Sequence, residues 1–412
     1  VAVENEKPLL SWQLQSSGQA KSQTAYRILV ASSPSLLAEG KADFWDSGKI
    51  TSSRSSQVGY EGKPLDSRQT LYWKAMVWDE AGEASPWSET GRWTMGLLEP
   101  SDWTARWIGN REDAYPDSTL TTPAPYFRKT FRINKPVKQA KAYICGLGFY
   151  EMYLNGERVG DQVLAPAVTN FDRRPLKKML YFFDDQSNQR VLYNTFDVTS
   201  LVQKAENTVG VLLGNGWYNH QAFAVWDFER APWRQRPAMC MDLRITYDDG
   251  SVATVPTDLS WRSSSDGPLV YNNIYTGEHY DFNKNLLQGW DTPEYNDSKW
   301  GGVRLRQAPA PIVSAQAMEP IRFVEDIAAK GMKKLNDSTY IYDFGKNMAG
   351  VTTVKLRGDS GTVVRISHGE RLHKDGSLDL SNIDVYYRGD KNMEPFQTDI
   401  LTLSGGDDCF TA

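Results

Sequence analysis

At 412 residues, 40% apolar and 24% charged, the chain has ordinary globular composition and room for about three domains, which excludes a disordered tail protein. Its 46 basic and 51 acidic residues leave a formal charge of −5, the wrong sign for a nucleic-acid partner. No apolar run reaches the ~20 residues that span a bilayer, so no membrane role is expected. The outlying quantity is aromatic: 14 Trp, 20 Tyr and 15 Phe, side chains that favour strands and offer flat, weakly polar platforms for sugar rings.

Residues 1–97 alternate with period two. Tyr26, Ile28 and Val30 share one face of the strand predicted over Thr24–Ala31, and the strand predicted over Leu71–Asp79 is apolar on both sides. Asp46-Ser47-Gly48, Glu61-Gly62-Lys63-Pro64 and Glu80-Ala81-Gly82 are turn signals, and only Pro34–Gly40 reads as a short helical turn. A seven-strand sandwich follows as the expectation. In the middle of the chain, strands are predicted at Tyr126–Ile133, Lys141–Cys145 and Phe149–Leu154. The last runs into Asn155-Gly156, the dipeptide that tolerates the positive φ angles of a type I′ hairpin. Thr208–Leu213, Met239–Tyr247 and Val252–Val255 follow, with a turn at Asp248-Asp249-Gly250. Asp197 is placed to cap a helical turn through Leu201 and Val202. Beyond residue 302, strands are expected at Tyr340–Tyr342, Gly350–Leu356 and Thr362–Ser367, with a turn at Lys374-Asp375-Gly376. No helical period is sustained anywhere, so the fold class is all-β: tandem β-sandwiches. Cys145, Cys240 and Cys409 lie far apart with no C-x-x-C spacing. The first two sit in apolar runs, as small buried hydrophobes do, and leave the cellular compartment open. The chain starts at Val1, without a charged-then-apolar leader, so any signal peptide is expected to lie outside it.

Several motifs together resemble the bacterial α-L-rhamnosidases of glycoside hydrolase family 78. QTAYRILVAS (Gln23–Ser32), FWDSGKI (Phe44–Ile50) and YWKAMVWDEAGEASPWSE (Tyr72–Glu89) are similar to that family's fibronectin-III-like opening module. GLGFYEMYLNGERVGD (Gly146–Asp161), FDVTSL (Phe196–Leu201), LGNGWYN (Leu213–Asn219), APWRQRP (Ala231–Pro237) and YTGEHYD (Tyr275–Asp281) resemble its jelly-roll, in some members a rhamnose-binding module. YDFGKNMAG (Tyr342–Gly350), HGERLHKDGSL (His368–Leu378) and TDILTLSGG (Thr398–Gly406) resemble the β-sandwich before the catalytic barrel. The resemblance implies three domains: a fibronectin-III-like sandwich at 1–97, a jelly-roll at 127–301, and a sandwich built from 98–126 and 302–412. In the last, Trp103–Gly109 supplies an outlying strand. It also implies an inverting hydrolase of terminal α-L-rhamnose on plant glycans. Its acid and base would lie on a covalently continuous (α/α)₆ barrel downstream, so no catalytic residue is expected in this chain. A glycan-degrading enzyme is expected to be secreted or periplasmic, with the cytoplasm left open.

Inverting hydrolysis needs two carboxyls roughly 6.5–9.5 Å apart. Glu278 and Asp281 are the sharpest local pair, but three residues apart on an extended segment they face opposite ways, and hairpin or loop hydrogen bonding is the expected role. Asp343 before Phe344-Gly345 lacks every companion of a kinase motif. His368, Glu370 and His373 have the wrong spacing for helical zinc ligation and are expected to be structural. The best binding patch is in the jelly-roll. Asn170 and Asp172, with Asn215 and Asn219 flanking Gly216-Trp217-Tyr218, carry oxygens suited to calcium, which can share its shell with two vicinal sugar hydroxyls. Trp226, Phe228 or Trp233 would wall a sugar methyl group. The set expected to bind carbohydrate is Asn170, Asp172, Asn219, Trp226 and Trp233, with Asn170 and Asp172 on calcium, and the partner a rhamnose-containing oligo- or polysaccharide. The competing reading makes the Asn and Asp turn formers and the Trp residues core. Arg173-Arg174, Lys177-Lys178 and Arg230 with Arg234–Arg236 are basic clusters of the kind that form a solvated face, with an anionic polysaccharide as the alternative partner. A free-standing carbohydrate-binding protein or a structural spacer are the alternatives to the enzyme reading.

Overall fold

The computed structural model describes residues 2–16, 18, 22–111, 123–169, 171, 189–310, 312–387 and 394–412. Strands and short 3-10 turns are the regular elements among them. The cause is the period-two placement of β-branched and aromatic residues, which stack well on a pleated surface.

One compact unit is Val1–Thr104 with Val313–Ala317. Its strands β1 (Ala2–Val3), β2 (Ala25–Ala31), β3 (Trp45–Asp46), β4 (Thr70–Trp78) and β5 (Gly91–Met95) form a sheet in the order β1–β5–β4–β2–β3. Alternation sends Tyr26, Ile28 and Val30 into one core with Tyr60, Leu71, Ala75 and Met95. Leu29 and Ala31 point the other way and meet Leu37, just past the 3-10 turn Pro34–Leu36, where a helical turn was predicted.

The other unit is Ala105–Ile312 with Met318–Ala412. Its first strands are β6 (Ile108–Asn110), β7 (Tyr126–Ile133), β8 (Val137–Leu147), β9 (Tyr150–Leu154), β10 (Glu157–Arg158), β11 (Arg190–Asp197), β12 (Ala205–Leu213), β13 (Ala238–Tyr247), β14 (Val252–Pro256), β15 (Arg262–Ser264), β16 (Leu269–Asn273), β17 (Gly277–Asp281) and β18 (Gly301–Leu305). Hydrogen bonding is continuous along β10–β9–β12–β7–β15–β18–β6–β13–β8–β11. Val209, Val211 and Leu213 of β12 share one core with Ala142 and Ile144 of β8 and Met239, Met241 and Leu243 of β13, as the two layers of a sandwich do. The hairpin β9–β10 turns at Asn155 and Gly156 with φ of 55° and 86°, the left-handed pair that the dipeptide predicted.

The strand near Gly109 is β6. It pairs with β18, whose residues 302–305 belong to the segment it was grouped with, and also with β13, and Ile108 is fully buried in the sandwich core. One expectation is corrected here. Asp197 caps a turn and not a helix. Its Oδ1 accepts from Thr199 N at 3.1 Å and Thr199 Oγ1 at 2.6 Å, while Val198 is drawn into the core and donates to Ala140 O. A single such turn has too few bonds to nucleate a helix.

The rest of this unit carries β19 (Gly331–Lys334), β20 (Tyr340–Asp343), β21 (Thr353–Arg357), β22 (Val363–Ser367), β23 (Thr398–Thr402) and β24 (Asp407–Thr411). β16–β17–β23–β22 form one sheet, with β17 and β23 parallel, while β19–β20 and β21–β24 are separate pairs. Apolar side chains here are open to solvent: Phe323, Met332, Tyr340, Tyr342, Val351 and Val363 are exposed, and Val324 is 95% exposed.

Candidate functional site

A cavity of about 880 Å³ opens beside β18, and its lining combines basic, amide and aromatic side chains. Arg304 and Arg306 stand two residues apart along β18 and its extension, hence on one face, and Arg106 comes from the segment entering β6. Pairing persists past the strand end, where Arg306 N donates to Trp107 O at 2.9 Å. Gly109 lies opposite Arg304, and a Cβ there would sit 3.1 Å from Arg306 Cγ, so the missing side chain makes room for the Arg306 stem. Arg306 Nη2 donates to Arg236 O at 3.1 Å, which orients the guanidinium. The aromatic lining residues are Phe171, Tyr218 and Trp233, with Phe171 edge-on to Tyr218 at 5.5 Å and tilted against Trp233 at 5.9 Å. Burial pushes the Tyr218 phenol up to about 12, against the opposing pull of the Arg306 charge, so it stays protonated. Gln189, Gln235 and Gln307 add amide donors and acceptors.

The segment between β12 and β13 is tied by buried polar contacts. Asn215 N and Nδ2 donate to Asn272 Oδ1 and O at 2.6 and 2.9 Å, and Asn219 Nδ2 donates to Asn215 Oδ1 at 2.8 Å. Arg234 Nη1 reaches Glu229 O at 2.7 Å, and its Nε reaches Asn219 Oδ1 at 3.4 Å. His220 is fully buried against Trp217, Phe228 and Tyr275. Burial, reinforced by the nearby Arg234 charge, lowers its pKa to about 4 and keeps the ring neutral.

The predicted binding residues thus divide. Trp233 lines the cavity, Asn219 sits behind it in the buried network, and Trp226 stands 61% exposed on the surface, outside the lining. Asn170 and Asp172, with Arg173, Arg174, Lys177 and Lys178, lie outside the described residues, although Phe171 between the first two is a lining residue. The side-chain oxygens of Asn215 and Asn219 already accept from Asn219 and Arg234. An arginine on an amide oxygen is a poor neighbour for a cation, so a calcium ion would rely on Asn170 and Asp172. No group of three His, Cys, Asp or Glu suited to a metal occurs among the described residues. Sequence reading passed over Arg106, Arg304, Arg306 and Tyr218. The signal available was the Arg304-x-Arg306 alternation, which puts two cations on one strand face.

The remaining candidates are structural. Asp281 Oδ1 accepts from Asn283 N at 3.0 Å and caps a 3-10 turn, Asp343 Oδ1 accepts from Gly345 N at 2.7 Å, and His368 Nε2 pairs with Thr352 Oγ1 at 2.6 Å. Glu278 on β17 meets Asp399 on β23, with Glu278 N donating to Asp399 Oδ1 at 2.9 Å. Burial, with the Asp399 and Glu151 charges adding to it, pushes the Glu278 carboxyl up to about 8, and burial raises that of Asp399 as well. The neighbouring His279 Nε2 is 3.1 Å from Glu394 Oε2. Neither Glu278 nor Asp399 lines the cavity.

Three family models match in tandem: a Rha78A-like N-terminal immunoglobulin domain over residues 1–99, an α-L-rhamnosidase N-terminal domain over 135–182 and 183–325, and a bacterial α-L-rhamnosidase concanavalin-like domain over 333–411. The chain belongs to the bacterial α-L-rhamnosidase family. An α-L-rhamnosidase of Formosa agariphila is 36% identical over 399 residues, 91% of this chain and 40% of that protein. One from an Alteromonas species is 34% identical over 374 residues, 89% of this chain and 38% of the relative. Among solved structures, the α-L-rhamnosidase of Dictyoglumus thermophilum is 32% identical with a TM-score of 0.84, covering 99% of this chain and 43% of its own. The Streptomyces avermitilis enzyme, solved with L-rhamnose, shares the fold at a TM-score of 0.86, 24% identity, and 99% and 53% coverage. The chain therefore spans well under two thirds of the length of these relatives.

Proposed function

We propose that this chain is the accessory, non-catalytic N-terminal portion of an α-L-rhamnosidase and that its jelly-roll segment binds rhamnose-containing glycan. The parent protein would remove terminal α-L-rhamnose from plant glycans with inversion, through a helical barrel continuous with this chain. The observation that carries this reading is the cavity beside β18. Its arginine, glutamine and aromatic lining is suited to holding a sugar, whereas inversion requires two carboxyls facing one sugar ring. The exposed Met332, Tyr340, Tyr342 and Val363 support a continuing body. A two-stranded ribbon such as β19–β20 is only marginally stable alone and gains most from a covering layer. Asn170 and Asp172 are the proposed calcium ligands, and Phe171 and Trp233, which line the cavity, the proposed wall for the sugar methyl group. A secreted or periplasmic protein fits this role.

Titration calorimetry of the chain with L-rhamnose, with and without a calcium chelator, tests the binding. Heat that disappears with chelator supports a calcium-assisted site, and heat that persists supports binding by the cavity without metal. No heat in either state refutes the binding role. The chain is expected to release no nitrophenol from an aryl α-L-rhamnoside, and turnover abolished by Glu278→Gln would overturn the non-catalytic reading.

A further inference from the structure

Two of the three cysteines stand directly opposite each other. Cys145 on β8 is the register partner of Cys240 on β13, in antiparallel pairing that runs unbroken from Gln139 opposite Thr246 to Leu147 opposite Ala238. We infer that Cys145 and Cys240 form an oxidative modification site, which closes a cross-strand disulfide between β8 and β13 when the opened chain meets a small disulfide oxidant such as oxidised glutathione. The pairing stands whether or not the jelly-roll segment binds sugar.

Register supplies the geometry. Residues opposite each other on antiparallel strands project from one face, with Cα atoms about 4.5 or 5.5 Å apart according to whether the pair is hydrogen-bonded. Both values lie inside the roughly 4.4–6.8 Å that a disulfide spans, so the bond asks for a slight approach of the Cβ atoms and no change of pairing. The preceding pair, Ile144 and Met241, points into the sandwich core, so alternation turns the two thiols to the other face of the sheet. Tyr143, two residues before Cys145 on that same face, is buried too and tilts against Tyr193 at 6.2 Å. Both cysteines are buried there as free thiols, while Cys409 is exposed on β24 with Lys355 opposite it.

Burial decides when the bond forms. It pushes both thiol pKa values upward, aided at Cys145 by the Cys240 charge and at Cys240 by that of Asp242, with a Thr257 hydrogen bond opposing. The folded chain therefore presents almost no thiolate to an oxidant, and oxidation belongs to the open chain. One cysteine thiolate attacks oxidised glutathione and releases a glutathione thiolate, and the second cysteine thiolate then displaces the other. Two thiols are oxidised to one disulfide, one glutathione disulfide is reduced to two thiols, and the two cysteine protons end on glutathione. The product closes a loop of roughly a hundred residues, and restricting so long a loop in the unfolded chain favours the folded one. That loop contains Phe171, Tyr218 and Trp233, so oxidation ties together the two ends of the stretch that carries the aromatic lining of the cavity.

The test uses the whole chain with Cys409→Ser, which removes the exposed thiol. It is incubated with reduced or oxidised glutathione in urea just below its unfolding midpoint and returned to buffer. Thiols are counted in denaturant, intact mass is measured and linked peptides are mapped. With reduced glutathione both remaining cysteines should titrate as thiols. With oxidised glutathione neither should, the mass should fall by about 2 Da, a Cys145–Cys240 peptide should appear, and the melting temperature should rise by several degrees until a reductant reverses it. Two free thiols after oxidant treatment overturn the inference, as does glutathione left on either cysteine without an internal bond. A bond that leaves the melting temperature unchanged or lowers it also overturns it, because the native register would not then be holding the bond. Cys145→Ala in the same background should melt alike with either form of glutathione, and a rise equal to that of the parent would assign the effect to something other than this pair.

Discussion

Glu278→Gln should remove a pH dependence that the protein carries in the joint between β17 and β23. Burial next to Asp399 and Glu151 moves the Glu278 carboxyl from its ordinary 4.5 up to about 8. A raised acid pKa means that the folded chain holds the proton more tightly than the unfolded chain. Stability from this group is therefore intact below pH 4.5, falls as pH rises towards 8, and is flat again above it. The displacement corresponds to a ceiling of about 5 kcal/mol, at ~1.4 kcal/mol per pH unit. Glu278 is only half-buried, and water screening reduces that ceiling to about 2 kcal/mol. Glutamine keeps the shape and never ionises. Calorimetric melting of wild type and variant at pH 5 and pH 9 isolates the Glu278 charge together with its mutual repulsion with Asp399. The variant should match wild type at pH 5 and melt about 4 °C or more higher at pH 9. Equal displacement at both pH values would refute the argument, since packing and not charge would then be responsible.

Asn207→Ala should cost about 2–4 kcal/mol, read as a lower urea midpoint. The fully buried amide accepts from Gln203 N and Asn155 Nδ2 and donates to Gln203 O and Ala205 O, and alanine strands all four partners. Of the thiols, only Cys409 should react rapidly with a disulfide reagent in the native chain. Cys145 and Cys240 are buried, burial pushes both pKa values upward, and both should appear only on denaturation. The chain should bind a hydrophobic dye, and replacing Met332 and Tyr342 with Thr should reduce that signal without lowering the melting temperature, because both are exposed.

Legibility in the sequence followed locality. The hairpin at Asn155-Gly156 was readable because positive φ is a property of two residues, and β7 matched its predicted limits because its alternation is unbroken. The strand over Trp103–Gly109 was expected from the resemblance, but its partners Met239 and Leu305 lie far apart in the chain, and nothing in Trp103–Gly109 states which residues burial will select. The same reason hid the basic lining residues. Arg106 and Arg304 are about two hundred positions apart, and only the β6–β18 pairing turns them into neighbours. The basic run that did show in sequence behaves differently: Arg234 turns inward to Glu229 O and Asn219, and Arg236 is buried. A charge cluster in sequence is therefore a weaker guide to a charged site than a charge alternation on paired strands.

The placement of Glu278 and of the cavity argues for a division of labour inside this unit. Glu278 and Asp399 tie β17 to β23, and so join the strands before residue 302 to the stretch that carries the exposed apolar residues. Charged groups raised in pKa at such a joint make it sensitive to whatever covers it, because further burial would raise the Glu278 pKa again and a cationic neighbour would lower it. Neither Glu278 nor Asp399 is among the described residues that line the cavity beside β18. The cavity and the acid-bearing joint thus occupy different strands of one unit, and substitutions at either should leave the other unchanged.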